Sequence, residues 1–145
     1  MARSQSLLRQ ILTTQYFAVL NTVGEGLPHC NLVSFAVTDD LRSLVFATRR
    51  DTRKYTNIQE NRGISLLVDN RSNRPVDISE AIAIEVIGTA HEETGNSSRL
   101  RVVLSDRHPQ LRRFVEAPES AIIEVHVREY IISGFEETER VVMSE

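Results

Sequence analysis

The sequence predicts a mainly β domain with short helices, an antiparallel architecture of six strands that closes into a small barrel. Three observations predict it. Five short runs rich in β-branched and aromatic residues are separated by turn residues, and a sixth, longer run near the end alternates in polarity. Hydrophobic residues make up 41% and charged residues 26%, the balance of a folded globular chain rather than a disordered or coiled-coil one. A length of 145 residues fits one domain, 1–145, with no repeat or low-complexity linker to divide it.

The elements follow in order. Leu7, Leu8, Ile11 and Leu12 recur at three- and four-residue spacing, so residues 4–14 form an amphipathic helix. Residues 16–23 form the first strand, and Gly24-Glu25-Gly26 turns the chain into a second strand over 29–38. Asp39-Asp40 makes the next turn, and residues 43–48 form the third strand. Asp51 or Thr52 caps a short helix running to about Asn61, with Tyr55 and Ile58 on one face. Residues 63–69 form a fourth strand, 70–77 a polar basic loop containing Pro75, and 81–90 a fifth strand that Gly88 interrupts. Gly95-Asn96-Ser97 punctuates the chain before two short helices carrying Leu100, Val103, Leu104, Leu111, Phe114 and Val115. The last strand, 121–134, places Ile123, Val125, Val127 and Ile131 on one face and Ile122, Glu124, His126, Arg128 and Tyr130 on the other. Such a sheet must close or pair to hide its edges, and a small barrel does so.

Composition excludes several classes. A net charge of −3 gives no overall positive field, so a nucleic-acid partner is not expected. No apolar run reaches the roughly 20 residues that span a bilayer, and Arg3 and Arg9 interrupt any leader-like core. A cytoplasmic chain without membrane contact is the expectation. Cys30 is the single cysteine and lacks a basic neighbour, which fits a small buried hydrophobe better than a nucleophile. His29 and Cys30 are adjacent on a strand and point to opposite faces, and His91, His108 and His126 are scattered in sequence. No metal site is expected. Gly24-x-Gly26 precedes no helix and is not a dinucleotide fingerprint, and neither a nucleophile elbow nor a Walker A run occurs.

The informative feature is a charge cluster. Arg49, Arg50, Arg53 and Lys54 face a single acidic neighbour, Asp51, and Lys54 is the only lysine beside sixteen arginines. Thr48 ends a strand, Thr52 opens a helix, and Arg53 and Lys54 occupy its first turn. Cations there oppose the helix dipole unless an anion lies between them and the exposed N–H groups, so the layout suits a phosphate. The same composition also suits a solvated turn with a threonine cap.

The run Leu44-Val45-Phe46-Ala47-Thr48, then Arg49-Arg50-Asp51-Thr52-Arg53-Lys54-Tyr55, and on through Asn57 and Asn61 to Ile64-Ser65-Leu66-Leu67, resembles the FMN-binding split β-barrel family related to pyridoxamine 5′-phosphate oxidase. The likeness extends over about residues 14–90, and Tyr130-Ile131-Ile132-Ser133-Gly134-Phe135 is similar to the last strand of small members. The resemblance implies an FMN-binding split barrel in which Thr48, Thr52, Arg53 and Lys54 hold the FMN phosphate by charge-assisted bonds. It implies that Asn31, Leu32, Val33 and Ser34 run along the isoalloxazine edge, with Ala47 and Thr48 on its other side. It also implies a homodimer with flavin at the subunit interface, where Asn70 and Arg71 of the basic loop are candidates for a lid over the partner's flavin.

Two departures bear on activity. The family's Gln five residues before the glycine of the fifth strand falls at Ala83, and the last ten residues, 136–145, hold no counterpart of the substrate-binding Arg and His segment of true oxidases. The expectation is therefore a flavin-dependent oxidoreductase with a small-molecule electron donor and acceptor, not a vitamin B6 oxidase. The cofactor would carry the redox chemistry and no side chain is named as catalytic. The alternatives are a deazaflavin- or haem-binding relative on the same barrel, and a non-enzymatic dimer that stores flavin.

Overall fold

Helix α1 (Ala2–Thr14) buries Leu8, Ile11 and Leu12, the expected stripe, at the edge of the main core. The computed structural model describes residues 2–95 and 98–143; Asn96 and Ser97 of the expected punctuation, and residues 144–145, lie outside the described residues. The strands are β1 (Phe17–Gly24), β2 (Leu27–Ser34), β3 (Ala36–Val37), β4 (Ser43–Arg49), β5 (Gly63–Asp69), β6 (Ala83–Glu92), β7 (Ser120–Ser133) and β8 (Thr138–Val142). Between them lie α2 (Arg53–Glu60), α3 (Asp77–Glu80), α4 (Ser98–Arg107), a 3₁₀ turn (Pro109–Leu111) and α5 (Arg112–Glu116).

All pairings are antiparallel, in the order β2-β1-β5-β6-β7-β4-β3. The two ends of that order, β2 and β3, are separated in the chain only by Phe35, so the sheet curls until its ends meet at that residue. This is a mainly β split barrel with short helices. The split lies along β7. Strand β6 follows one edge of β7 over nearly its whole length, whereas the other edge is shared by β4 against residues 120–126 and β8 against 129–133.

The six expected strands are present, and the differences have local causes. The second divides at Phe35, whose side chain turns into the core while its N–H reaches the Tyr16 carbonyl at 3.4 Å. The additional strand β8 is short and mostly exposed, so its sequence carries no alternation to announce it. In the first hairpin, Glu25 (φ 55°) and Gly26 (φ 76°) make the turn, with Gly24 still paired to Leu27. The expected glycine break in β6 is a bulge: the register shifts between Ile87 and Gly88, leaving Arg128 of β7 without a partner there. That extra residue reverses the alternation beyond it. Tyr130 and Ile132 are therefore buried and Ile131 is only half-buried, the reverse of the expected faces. Cys30 is exposed rather than buried, because β2 is an edge strand.

Two apolar clusters result. The larger fills the barrel with Leu20, Phe35, Phe46, Leu66, Ile84, Val86, Val125 and Tyr130. The smaller packs Leu100, Leu104 and Val115 of the α4–α5 segment on Val45 and Ile122, outside the barrel. Each fully buried large side chain contributes roughly 1.5–3 kcal/mol. His108, buried at the end of α4, ties this outer layer to the β2–β3 joint through Nε2 and the Phe35 carbonyl, 2.7 Å apart. A carbonyl only accepts, so Nε2 carries the proton. Among the described residues no helix is long and apolar enough to cross a membrane.

Candidate functional site

Strand β4 delivers Thr48 to the start of α2, and the turn between them is closed by side chains. Thr52 has extended backbone angles (φ −100°, ψ 155°) and its hydroxyl caps the helix by accepting from the Tyr55 N–H at 3.4 Å. The Thr48 and Thr52 hydroxyls lie 2.9 Å apart, and Thr52 Oγ1 donates to the Arg49 carbonyl at 2.9 Å. Helix α2 is anchored from below. Asn57, buried, donates to Thr22 Oγ1 at 3.0 Å, and a Cβ on Gly24 would lie 2.1 Å from Asn57 Oδ1. Gly24 is thus required for the close approach of α2 to β1 rather than for the turn.

The four cations of the cluster are not equivalent. Arg49 is held by Asp51 through two hydrogen bonds, at 3.2 and 3.0 Å, which draw the Asp51 carboxyl below its ordinary range. Arg50 is held by Glu92 of β6 at 2.5 Å and by the Pro118 carbonyl at 2.9 Å. Tyr55 donates to the other Glu92 oxygen at 2.6 Å, and Gln59 donates to Tyr55 at 2.7 Å. The Arg50 guanidinium, with smaller help from Tyr55, holds the Glu92 carboxyl below 4.5, while the bond to Glu92 pushes the Tyr55 phenol up. Arg53 and Lys54 make no hydrogen bond or ion pair among the described residues. Two unpaired cations therefore sit in the first turn of a helix, where its dipole repels them.

A cleft of about 280 Å³ opens beside this turn, lined by Leu32, Val33, Ser34, Ala47, Thr48, Arg49, Thr52, Lys54, Leu111 and Phe114. It is polar at the Thr48–Lys54 end and apolar along β2 and the 3₁₀–α5 segment. Seven of the sequence-predicted residues line it. Arg53 stands next to Lys54 on the helix but is not part of the lining, and Asn31 lies on the face of β2 opposite Leu32 and Ser34.

Asn70 and Arg71 are not brought to this cleft within one chain. Asn70 accepts from the Ile82 N–H at 2.8 Å, and Arg71 pairs with Asp69 at 2.8 Å beside a separate cleft that contains Phe17, Leu32 and Leu67. Sequence reasoning missed Leu111 and Phe114 as walls of the cleft, because the packing of α4 and α5 on β4 and β7 puts them there. It also missed Glu92 as the partner of Arg50, 42 residues away. His91 and Glu124, scattered in sequence, are cross-strand neighbours in the fold.

A family model for pyridoxamine 5′-phosphate oxidase matches residues 5–133. The chain belongs to this family. No curated protein sequence matches the chain closely enough to count as a relative. Among solved structures, it is similar to a heme binding protein from Mycobacterium smegmatis (TM-score 0.82, 14% identity, 92% of this chain and 55% of that one). It therefore spans about half the length of that neighbour. It is also similar to a FAD-binding protein from Mesorhizobium loti (TM-score 0.72, 16% identity, 94% and 93% of the two chains). General Stress Protein 26 from Bacillus anthracis is similar at TM-score 0.72 and 24% identity, over 96% of this chain and 99% of the other. At such identities the likeness establishes the split-barrel fold.

Proposed function

We infer that this pyridoxamine 5′-phosphate oxidase family member binds FMN in the Thr48–Lys54 cleft and acts as a flavin-dependent oxidoreductase. The observation that carries this reading is the pair of unpartnered cations, Arg53 and Lys54, beside the Thr48–Thr52 hydroxyl pair at the polar end of an otherwise apolar cleft. A phosphate monoester there would accept from the first N–H groups of α2 and from the Thr48 and Thr52 hydroxyls once their protons turn from the Arg49 carbonyl, and its charge reverses the penalty of placing cations at a helix N-terminus. The apolar walls, Leu32, Val33, Ala47, Leu111 and Phe114, exclude water from a planar aromatic ring. Ser34 and the β2 backbone supply hydrogen bonds to the ring's polar edge. The cofactor supplies hydride or electron transfer, and this chain supplies binding, orientation and a dry slot. A small-molecule donor and acceptor complete the reaction.

Exposed Tyr16, Phe17, Leu32 and Leu67 form an apolar surface next to the cleft. They support a homodimer in which a second copy covers the flavin, with Asn70 and Arg71 reaching the cofactor only from the partner. A haem-binding reading is supported by the mycobacterial neighbour. Against it, no His, Cys, Met or Tyr among the described residues lines the cleft for axial ligation.

The test is reconstitution of the full chain with FMN, followed by flavin fluorescence and absorption. A yellow complex that releases FMN on acidification is expected. Arg53→Ala combined with Lys54→Ala should weaken binding at least about a hundredfold, at roughly 1.5–3 kcal/mol for each lost charged contact. Equal affinity of that variant and the native chain refutes the site, and a Soret band from added haem with no FMN uptake favours the haem reading.

A further inference from the structure

A second cluster of chemistry-bearing side chains lies away from the cleft, where the ends of β6 and β7 pair. His91 and Glu124 are directly opposite each other across the two strands. His91 Nε2 lies 3.4 Å from Glu124 Oε1, yet the two are not aligned as a hydrogen bond, and His91 makes none among the described residues. Glu93, one residue beyond β6, completes the group: one ligand atom from each of His91, Glu93 and Glu124 lies within 4.8 Å of the others.

Two further observations separate this cluster from an ordinary surface group. The first is orientation from outside the cluster. Ser43 Oγ, buried, donates to Glu124 Oε2 at 2.7 Å and leaves Oε1 to face the imidazole. The Glu93 backbone is fixed by its N–H to the Ile122 carbonyl at 2.8 Å, and one Glu93 oxygen accepts from the Gly95 N–H at 3.1 Å. Hydroxyl and amide donors on the non-ligating oxygens are what hold carboxylates in place around a metal ion. The second is separation: His91 Nε2 and Glu124 Oε1 face each other 3.4 Å apart without a hydrogen bond between them.

We propose that His91, Glu93 and Glu124 form a binding site for a divalent transition-metal ion of the zinc type, with Ser43 orienting Glu124. One imidazole nitrogen and two carboxylate oxygens are a donor set for zinc, with water in the fourth position. Bonds of about 2.1 Å in a tetrahedron place donor atoms about 3.4 Å apart, which is the separation His91 and Glu124 already have. Glu93 brings the third donor atom within 4.8 Å of the other two. The site joins the ends of two neighbouring strands and shares no residue with the Thr48–Lys54 cleft, so it does not rest on the flavin reading.

The experiment is calorimetric titration of the chelator-treated full chain with Zn²⁺, repeated with Co²⁺ and read by its visible absorption. One ion per chain is expected, with cobalt bands of four-coordinate intensity. His91→Ala and Glu124→Gln should each weaken zinc binding at least tenfold, Ser43→Ala by about tenfold, and His126→Ala not at all. Glu93→Gln, at a position outside both apolar clusters, provides a ligand deletion whose folding is checked by thermal unfolding without metal. It too should weaken binding at least tenfold. No saturable uptake below millimolar zinc, or an affinity unchanged by His91→Ala and Glu93→Gln, overturns the proposal.

Discussion

The turn from Thr48 to Tyr55 and the loop from Asn70 to Asp77 have the same kind of composition, basic with one carboxylate each, and the fold treats their charges differently. In the loop every cation is engaged: Arg71 pairs with Asp69, and Arg74 donates from Nε to Ser72 Oγ at 3.3 Å. The loop is organised around Asp77, whose carboxylate accepts from the Ser72, Asn73 and Arg74 N–H groups. These bonds, the Ser72 N–H first, draw its pKa below the ordinary value. In the turn, Asp51 and Glu92 take up Arg49 and Arg50 and leave Arg53 and Lys54 without partners. A count of charges does not identify an anion site. What identifies it is the residue of charge left after the carboxylates within reach have been satisfied, and where the backbone N–H groups of a helix start point.

The largest effect that would sharpen this contrast is on cofactor binding. Against the loss of at least about a hundredfold expected for the Arg53 and Lys54 double variant, Arg74→Ala should cost less than about fivefold, since this arginine is held by Ser72 within its own loop and does not line the cleft. Flavin fluorescence titration of both variants checks this, and equal losses would erase the distinction between the two segments. Next is the mounting of the turn. Gly24→Ala drives a methyl group into Asn57 and breaks its bond to Thr22, so it should lower stability by about 1–3 kcal/mol in thermal unfolding. Gly26→Ala meets no neighbour and pays only for its positive φ, so it should cost less.

The smallest effect concerns Glu92. Its folded pKa lies below the unfolded value, so the stability it contributes is present above about pH 4.5 and is lost as pH falls through the folded pKa. Glu92→Gln should therefore reduce stability by about 1 kcal/mol at neutral pH, discounted for the partly exposed Arg50. The variant should also show a shallower fall in unfolding temperature between pH 6 and 3 than the native chain. Parallel pH profiles would mean that Arg50 is not held by this carboxylate.

Much of the candidate site was legible because its signals are local. A strand ending in Thr48, a threonine cap at Thr52 and cations in the first turn of a helix all lie within seven residues, and the structure has them in that arrangement. The pairing of Arg49 with Asp51 is also local. The pairing of Arg50 with Glu92 is not, since it depends on how β6 passes the turn. Leu111 and Phe114 reach the cleft only because the outer apolar cluster seats α4 and α5 on Val45 and Ile122. The same distinction holds for the fold. Six strands were readable from composition, turns and alternation, whereas the reversal of faces at Tyr130 follows from one unpaired residue, Arg128, at a bulge that alternation cannot reveal. His91 and Glu124 likewise meet only through the β6–β7 register.

The most direct test of a phosphate grip at the start of α2 compares two ligands on the native chain, FMN and riboflavin, which differ only in the phosphate group. Titration by fluorescence quenching at one ionic strength should show FMN bound at least a hundredfold more tightly than riboflavin, with the gap narrowing as salt is raised. Equal affinities, or a gap that persists unchanged in the Arg53 and Lys54 double variant, would contradict the account.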